Sequence, residues 1–385
     1  KGGQFAHARF AEWELEPLGH EQRMELARRL LPILGARLNG GRADAPRLSP
    51  TAFVAALEER PQAEVWRDNP LLVSLAAVVF ARRGALPQSH ALLFGEASDA
   101  ILAAREPEAA RREELRDALA EVALRLYSGA GRVFTRADVL ATLTSFQQEQ
   151  QAGWLPDDLT QRIIASGALD VISPTDETYA FFHQTFQEYL AAVALARRLL
   201  SLDEAQREAA WEFAWSKRLY SRWTEIMRLL APILTQEDAA DGPALALRWL
   251  RALMGQRETV DGDVGDLGLS LAIATLAEAE GLGDTQTASA ESWRELRFEV
   301  LRVWVALMSE AVRAKRFPRQ RRLKALSDDI GRVVVQLEQN VAPTFEADMQ
   351  RLIEPLTALL ASRDQFVSPQ AMEALIPFGA YAPLP

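Results

Sequence analysis

Apolar residues recur along most of this chain at three- and four-residue intervals, the spacing that lays a stripe along an α-helix. Between residues 21 and 34, Met24, Leu26, Ala27, Leu30, Leu31 and Leu34 share one broad face. Pro32 falls inside that run and is expected to kink or end it, because proline lacks the backbone donor and crowds the preceding turn. Ser49-Pro50 and Asn69-Pro70 each set a capping side chain before a proline at the first helical position. Helices are predicted from both, the second over 70–83. Leu86-Pro87 is read as opening another, to about residue 105, and amphipathic helices are predicted over 111–127, 136–146 (with Phe134-Thr135 at its cap) and 159–166.

Two segments break the helical period. Ala11, Trp13 and Leu15 alternate with Glu12, Glu14 and Glu16, which predicts a short strand. Residues 170–182, DVIS-PTDE-TYAFF, read as strand, tight turn, strand, so a β-hairpin is predicted within 165–183. A helix over 185–200 follows at once, and several helices followed by one hairpin is the pattern of a winged-helix unit. Beyond residue 203 only helices are predicted, over 203–217, 222–235, 243–255, 267–280, 290–315, 319–338, 345–363 and 368–376. Polar Gly/Asp-rich loops are expected at 258–265 and 281–287, and FGAYAPLP at 378–385 is expected to be a tail or linker. The expected fold class is mainly α: a helical domain plus a winged-helix unit with one small β-hairpin, then an α-solenoid or HEAT-like stack. No strict repeat period supports a tetratricopeptide array.

Composition narrows this picture. The 385 residues are 49% hydrophobic and 25% charged, the mix of a soluble globular protein with ample core and two or three domains. Cysteine is absent, which excludes disulfides, thiolate catalysis and cysteine zinc sites and fits a reducing, cytoplasmic setting. The longest apolar run, 71–81, is too short to cross a bilayer. The first residue is Lys rather than Met, which reads as a fragment or a processed chain. A net charge of −10 argues against broad nucleic-acid binding. One exception is the basic segment Lys315, Arg316, Arg319, Arg321, Arg322 and Lys324, either a solvated helix junction or a surface for an anionic partner.

Self-contained catalysis is not indicated. The sequence holds no G-x-x-x-x-G-K-S/T loop for a triphosphate, and its Gly129-Ala130-Gly131 lacks the following Lys. Its four histidines, His7, His20, His90 and His183, have no metal-ligand spacing. Asp157-Asp158 and Asp328-Asp329 fit helix starts or polar faces better than a catalytic pair.

Three segments in order carry a family resemblance. DNPLLVSLAAVVFARRGALPQSHALLF (68–94), YAFFHQTFQEYLAAVALA (179–196) and RWTEIMRLLAPIL (222–234) resemble the helical-domain motif, the winged-helix signature and the following helix of NACHT-type STAND signalling ATPases. FAEWELEPLGHEQRMELARRLL (10–31) is similar to the strand and helix leaving that family's ATPase core. The winged-helix run is the most specific, and the resemblance spans about residues 5–235. It implies an exit strand over 1–17, a helical domain over 18–106, a winged-helix domain over 107–200 and a helical repeat or bundle over 201–377.

The resemblance further implies that Pro70 lies against the adenine and His183 points at the β-phosphate of bound ADP. ADP or ATP with Mg would be held by a P-loop core that this sequence does not contain. It also implies a closed-to-open switch, a ligand sensed by the C-terminal helices, homo-oligomerisation on activation and a role such as antiphage defence. From the residues alone, Pro70 is a helix starter and His183 a half-buried core histidine. Gln187 and Glu188 would brace the hairpin or face water. The alternative function is a non-enzymatic helical scaffold for a protein or peptide. A nucleic-acid-binding winged helix is disfavoured by Asp170, Asp176, Glu177 and Glu188, with no basic residues to offset them.

Overall fold

The computed structural model describes residues 17–38, 48–59, 64–87, 89–129, 132–150, 153–236, 240–255, 258–260, 263–278, 288–338 and 345–382. The strand expected over 11–15 lies outside the described residues. The fold is mainly α, as the periodicity predicts. The chain divides into two compact units, 1–87 and 88–385.

The first unit holds α1 (His20–Leu38), α2 (Pro50–Glu58), the single turn α3 (Glu64–Arg67) and α4 (Pro70–Arg83). Its core gathers Ala27 and Leu31 from α1, Phe53 and Leu57 from α2, Trp66, and Val73 and Ala76 from α4. Pro32 does not end α1, which runs on to Leu38. The carbonyl that Pro32 deprives of a donor belongs to Arg28, an exposed residue where water can serve instead. At the far end of α4, Gly84 closes the helix with φ 72°, a left-handed conformation that suits glycine.

The second unit opens with α5 (His90–Ala103) and α6 (Ala109–Ser128). Helix α5 starts at His90 rather than at Pro87, because the Ser89 side chain takes the cap and accepts from the Leu92 amide at 3.2 Å. Then come β1 (Phe134–Thr135), α7 (Arg136–Gln150), α8 (Pro156–Ala165), β2 (Leu169–Ser173), β3 (Thr178–Phe181) and α9 (Gln184–Leu199). The predicted hairpin is β2–β3, antiparallel, with Leu169 opposite Phe181 and Val171 opposite Tyr179. The two-residue β1 joins its other side, giving the order β1-β3-β2. Thr135 serves twice: its backbone pairs with Thr178, and its hydroxyl accepts from the Asp138 amide at 3.2 Å to cap α7.

The remaining helices are α10 (Glu204–Lys217), a 3₁₀ turn at Ser221–Trp223, α11 (Thr224–Gln236), α12 (Gly242–Gly255), α13 (Leu267–Glu278), α14 (Ala288–Arg313), α15 (Phe317–Lys324), α16 (Ser327–Glu338), α17 (Phe345–Leu360) and α18 (Val367–Leu375). Of these, α10 and α11 pack on α9, and the later ones pack on α11 and on one another. Trp249, Trp293 and Trp304 are fully buried among them, and the Trp304 indole donates to the Leu323 carbonyl at 3.1 Å. Gly268 permits the approach of α13 to the end of α12, since a methyl group there would overlap the Leu253 carbonyl oxygen.

Three expectations change in this region. Part of the loop expected over 258–265 pairs as an antiparallel ribbon, β4 (Glu258–Val260) with β5 (Asp263–Gly265). The single helix expected over 319–338 is two helices broken at Ala325-Leu326. Basic Arg321, Arg322 and Lys324 end the first and Asp328 and Asp329 begin the second, each suiting the helix dipole at that end. Finally, residues 376–381, partly assigned to a tail, form a 3₁₀ turn whose Phe378 is buried with its ring 6.0 Å from Trp304. No described helix is long and apolar enough to cross a membrane.

Candidate functional site

Pro70 lies in the first unit at the first position of α4, exposed. The Asn69 side chain caps the helix by accepting from the amides of Leu71 (2.9 Å) and Leu72 (3.4 Å). Pro70 needs no such acceptor, and its own carbonyl accepts from the Ser74 hydroxyl at 2.7 Å. A rigid apolar ring is thus held on a capped helix start. His183 belongs to the second unit.

His183 is the N-cap of α9, in an extended backbone conformation, two residues after β3 ends. Its neighbours fix it from both sides. The Phe182 amide donates to the Ala168 carbonyl at 3.2 Å, closing the base of the hairpin. The Phe182 ring lies 4.6 Å from that of Phe186, which is fully buried on the first turn of α9. Nδ1 of His183 accepts from the Thr185 amide at 3.2 Å. A ring nitrogen that accepts carries no proton, so the neutral imidazole is protonated at Nε2 and can donate from there. Burial holds the His183 pKa below its ordinary value. Interaction through His183 is therefore N–H donation from a neutral ring, not the attraction of a fixed cation.

A pH dependence follows. With the folded-state pKa lowered, this cap stabilises the unit fully above about pH 6.5, the unperturbed histidine value, and loses its effect as pH falls through the folded value. Thermal melts below pH 6.5 should show falling stability. Asn at this position keeps a capping acceptor without titrating, so His183→Asn should flatten part of that slope. An unchanged slope would show that the ring does not cap through Nδ1.

The polar pair after the histidine neither braces the hairpin nor faces water. Gln187 and Glu188 are 5% and 6% exposed. Gln187 donates to the Ala123 carbonyl in α6 at 3.5 Å. Glu188 accepts from Gln184 Nε2 at 2.7 Å and lies 2.9 Å from the Tyr127 hydroxyl, also in α6. Sequence patterning missed this role because Tyr127 is 61 positions away. On the apolar side of α9, Phe94 stacks on Tyr189 at 5.7 Å, and Gly95 lets α5 lie against the Tyr189 hydroxyl.

Two other features lie in the second unit. A cleft of about 670 Å³ between α6, α7, α9 and α10 has an apolar floor including Ala120, Leu195 and Phe213. Its charges pair with one another: Asp117 with Arg197, Glu121 with Arg198 and Arg125, and Arg125 with Glu149 at 2.6 Å. The basic segment is largely compensated as well. Lys315 pairs with Asp364 (2.6 Å), Arg316 with Glu310 (3.5 Å), Arg319 with Asp266 (2.9 Å) and Lys324 with Glu373 (2.7 Å). Four of its six basic residues thus have carboxylate partners. Among the described residues no cluster of His, Asp and Glu could hold a metal. No family model matches the chain, and no curated protein matches it in sequence.

Proposed function

We propose that this chain is the regulatory and sensor portion of a NACHT-type STAND signal-transduction NTPase. In this reading it controls an ADP/ATP-dependent change from a closed to an open, oligomer-forming state. The observation that carries the reading is His183, capping α9 directly after the β3 strand, with Nδ1 committed internally and Nε2–H left to donate. A helix start suits an anion, because its first amides lack acceptors within the helix and the dipole is positive there. In the closed state, Nε2–H of His183 would donate to the ADP β-phosphate. Pro70, rigid and without a donor, would pack against the base. The triphosphate and its Mg would be held by the P-loop core, and the helices beyond α9 would sense a ligand. A ligand shifts such an equilibrium only by its difference in affinity for the two states. A part in bacterial defence is proposed on the resemblance alone.

The reading predicts how this chain behaves by itself. Phosphate grip in P-loop proteins comes mainly from the loop's backbone amides and lysine, absent from this sequence. Calorimetry with Mg-ADP should give no saturable binding tighter than about 1 mM, or ~4 kcal/mol. Micromolar binding would show that the nucleotide site is elsewhere. The alternative, a scaffold binding a protein or peptide along α11–α18, requires no nucleotide in any context.

A further inference from the structure

The hydroxyl of Tyr127 faces two acceptors at once. Glu188 Oε1 lies 2.9 Å away, and the backbone carbonyl of Arg222 is also within hydrogen-bond distance. A tyrosine has one proton to give. If Glu188 were ionised, one of these two oxygen–oxygen contacts would have no hydrogen between them. A proton on Glu188 gives both contacts a hydrogen. Glu188 then donates to the Tyr127 oxygen, Tyr127 donates to the Arg222 carbonyl, and Gln184 Nε2 supports the carboxyl at 2.7 Å.

The contact is reciprocal. While the Tyr127 hydroxyl reaches the Arg222 carbonyl, the Arg222 guanidinium donates back to the carbonyls of Tyr127 (2.6 Å) and Gly129 (2.9 Å). These carbonyls lie at the C-terminal end of α6, where the last turn lacks donors of its own. The guanidinium also lies 4.7 Å from the centre of the Tyr127 ring. Next along the chain, Trp223 is buried and meets Tyr127 edge-on at 5.1 Å. Lys217 Nζ lies 5.6 Å from the Phe213 and Tyr220 rings and 5.9 Å from Trp223. Residues 218–223, the elbow between α10 and α11, are thus tied to the end of α6 mainly through Tyr127 and Arg222.

We propose that Glu188, Tyr127 and Arg222 form a proton-gated latch, which pins this elbow to α6 while Glu188 is protonated and releases it when the proton passes to water. The groups facing Glu188 are Gln184 on its own helix, Tyr127 from α6, Arg132 just after α6, and Glu225 from α11, itself paired with Arg228 at 2.8 Å. Burial, with the Glu225 carboxylate adding to it, raises the Glu188 pKa, against the opposing pull of the Gln184 and Tyr127 hydrogen bonds and Arg132. The Tyr127 hydroxyl is pushed up to about 12, chiefly by burial, so it stays protonated and can donate. A carboxyl whose folded pKa is raised stabilises the closed form below its unfolded value, and that effect is lost as pH rises through the folded value. Because His183 caps α9, the latch, resting on the proposed function, would couple the nucleotide contact to the C-terminal helices, but its chemistry does not depend on nucleotide.

Hydrogen–deuterium exchange on the full chain, corrected for intrinsic rates, tests the latch. At pH 5, Tyr127→Phe should speed exchange of the 218–224 amides by about ten-fold, the worth of one hydrogen bond. The β2–β3 amides should not change. In the unsubstituted chain, protection of the same amides should decline as pH rises above the ordinary carboxylate range. In Glu188→Gln, which mimics the protonated acid, it should stay high and flat. A Glu188→Gln chain that follows the unsubstituted pH profile, or a Tyr127→Phe chain loosened equally throughout the unit, would overturn the proposal. Should Tyr127→Phe fail to fold, the Glu188→Gln comparison decides alone. No nucleotide is present, so failure here is separate from failure of the switch reading.

Discussion

Asp266→Ala should lower the unfolding free energy of the second unit by roughly 3–5 kcal/mol, the cost of leaving a buried charge without its partner. Arg319 and Asp266 are 4% and 9% exposed, and two parallel hydrogen bonds of 2.9 Å join them, from Nε and Nη2 to the two carboxylate oxygens. Glu310 also lies near Arg319, at 3.8 Å, but is half exposed and a weaker substitute. Set against a typical domain stability of 5–15 kcal/mol, such a loss is severe. The pair with Arg319→Met tests the mechanism. Removing both charges should restore most of the loss, since apolar replacement of a buried ion pair is often close to neutral. Urea titrations of the two variants check this. Equal instability of the single and the double variant would show that Asp266 matters for some reason other than pairing Arg319.

That ion pair shows how far the sequence could be read. Arg319 stands in a basic run that patterning treats as a surface, yet its carboxylate partner is 53 positions away and draws it inside. The same holds for Glu188, a charged residue on a helix that only Tyr127 and burial explain. Periodicity records which residues would like to be buried. It does not record which polar residues will find a partner once the chain has folded. Where the signal is local, reading succeeds. The Asn69-Pro70 cap and the 70–83 helix stand as predicted, as does the hairpin.

The misses are also physical. A two-residue strand such as β1 is too short to show alternation, and Thr135 reads as a cap because it is one as well. Phe378 sits in a Pro/Gly/Ala-rich segment whose composition suggests a linker, but its ring packs against Trp304. At the candidate site, the sequence placed His183 after a strand and before a helix, and the structure does the same. The sequence left open which imidazole nitrogen is used. The Thr185 amide assigns Nδ1 to the cap, and the burial that lowers the pKa makes the ring a neutral donor.

His183→Ala should carry the largest functional effect. A hydrogen bond to a charged group contributes about 1.5–3 kcal/mol, so losing it should weaken the ADP-closed state by about ten-fold or more. The same substitution removes the cap of α9 and should cost the second unit about 1 kcal/mol of stability by itself. Stability alone therefore cannot separate a contact with phosphate from a structural cap. His183→Asn keeps the cap and discards the imidazole donor. The decisive measurement is the ratio of ADP to ATP affinity, by competition titration, in a parent protein carrying the P-loop core together with this chain. Both variants should lose ADP affinity by about ten-fold or more relative to ATP, with ligand-independent signalling as the consequence. A ratio unchanged in both variants, with only the melting temperature of His183→Ala reduced, would contradict the switch role of His183 and leave it a structural cap.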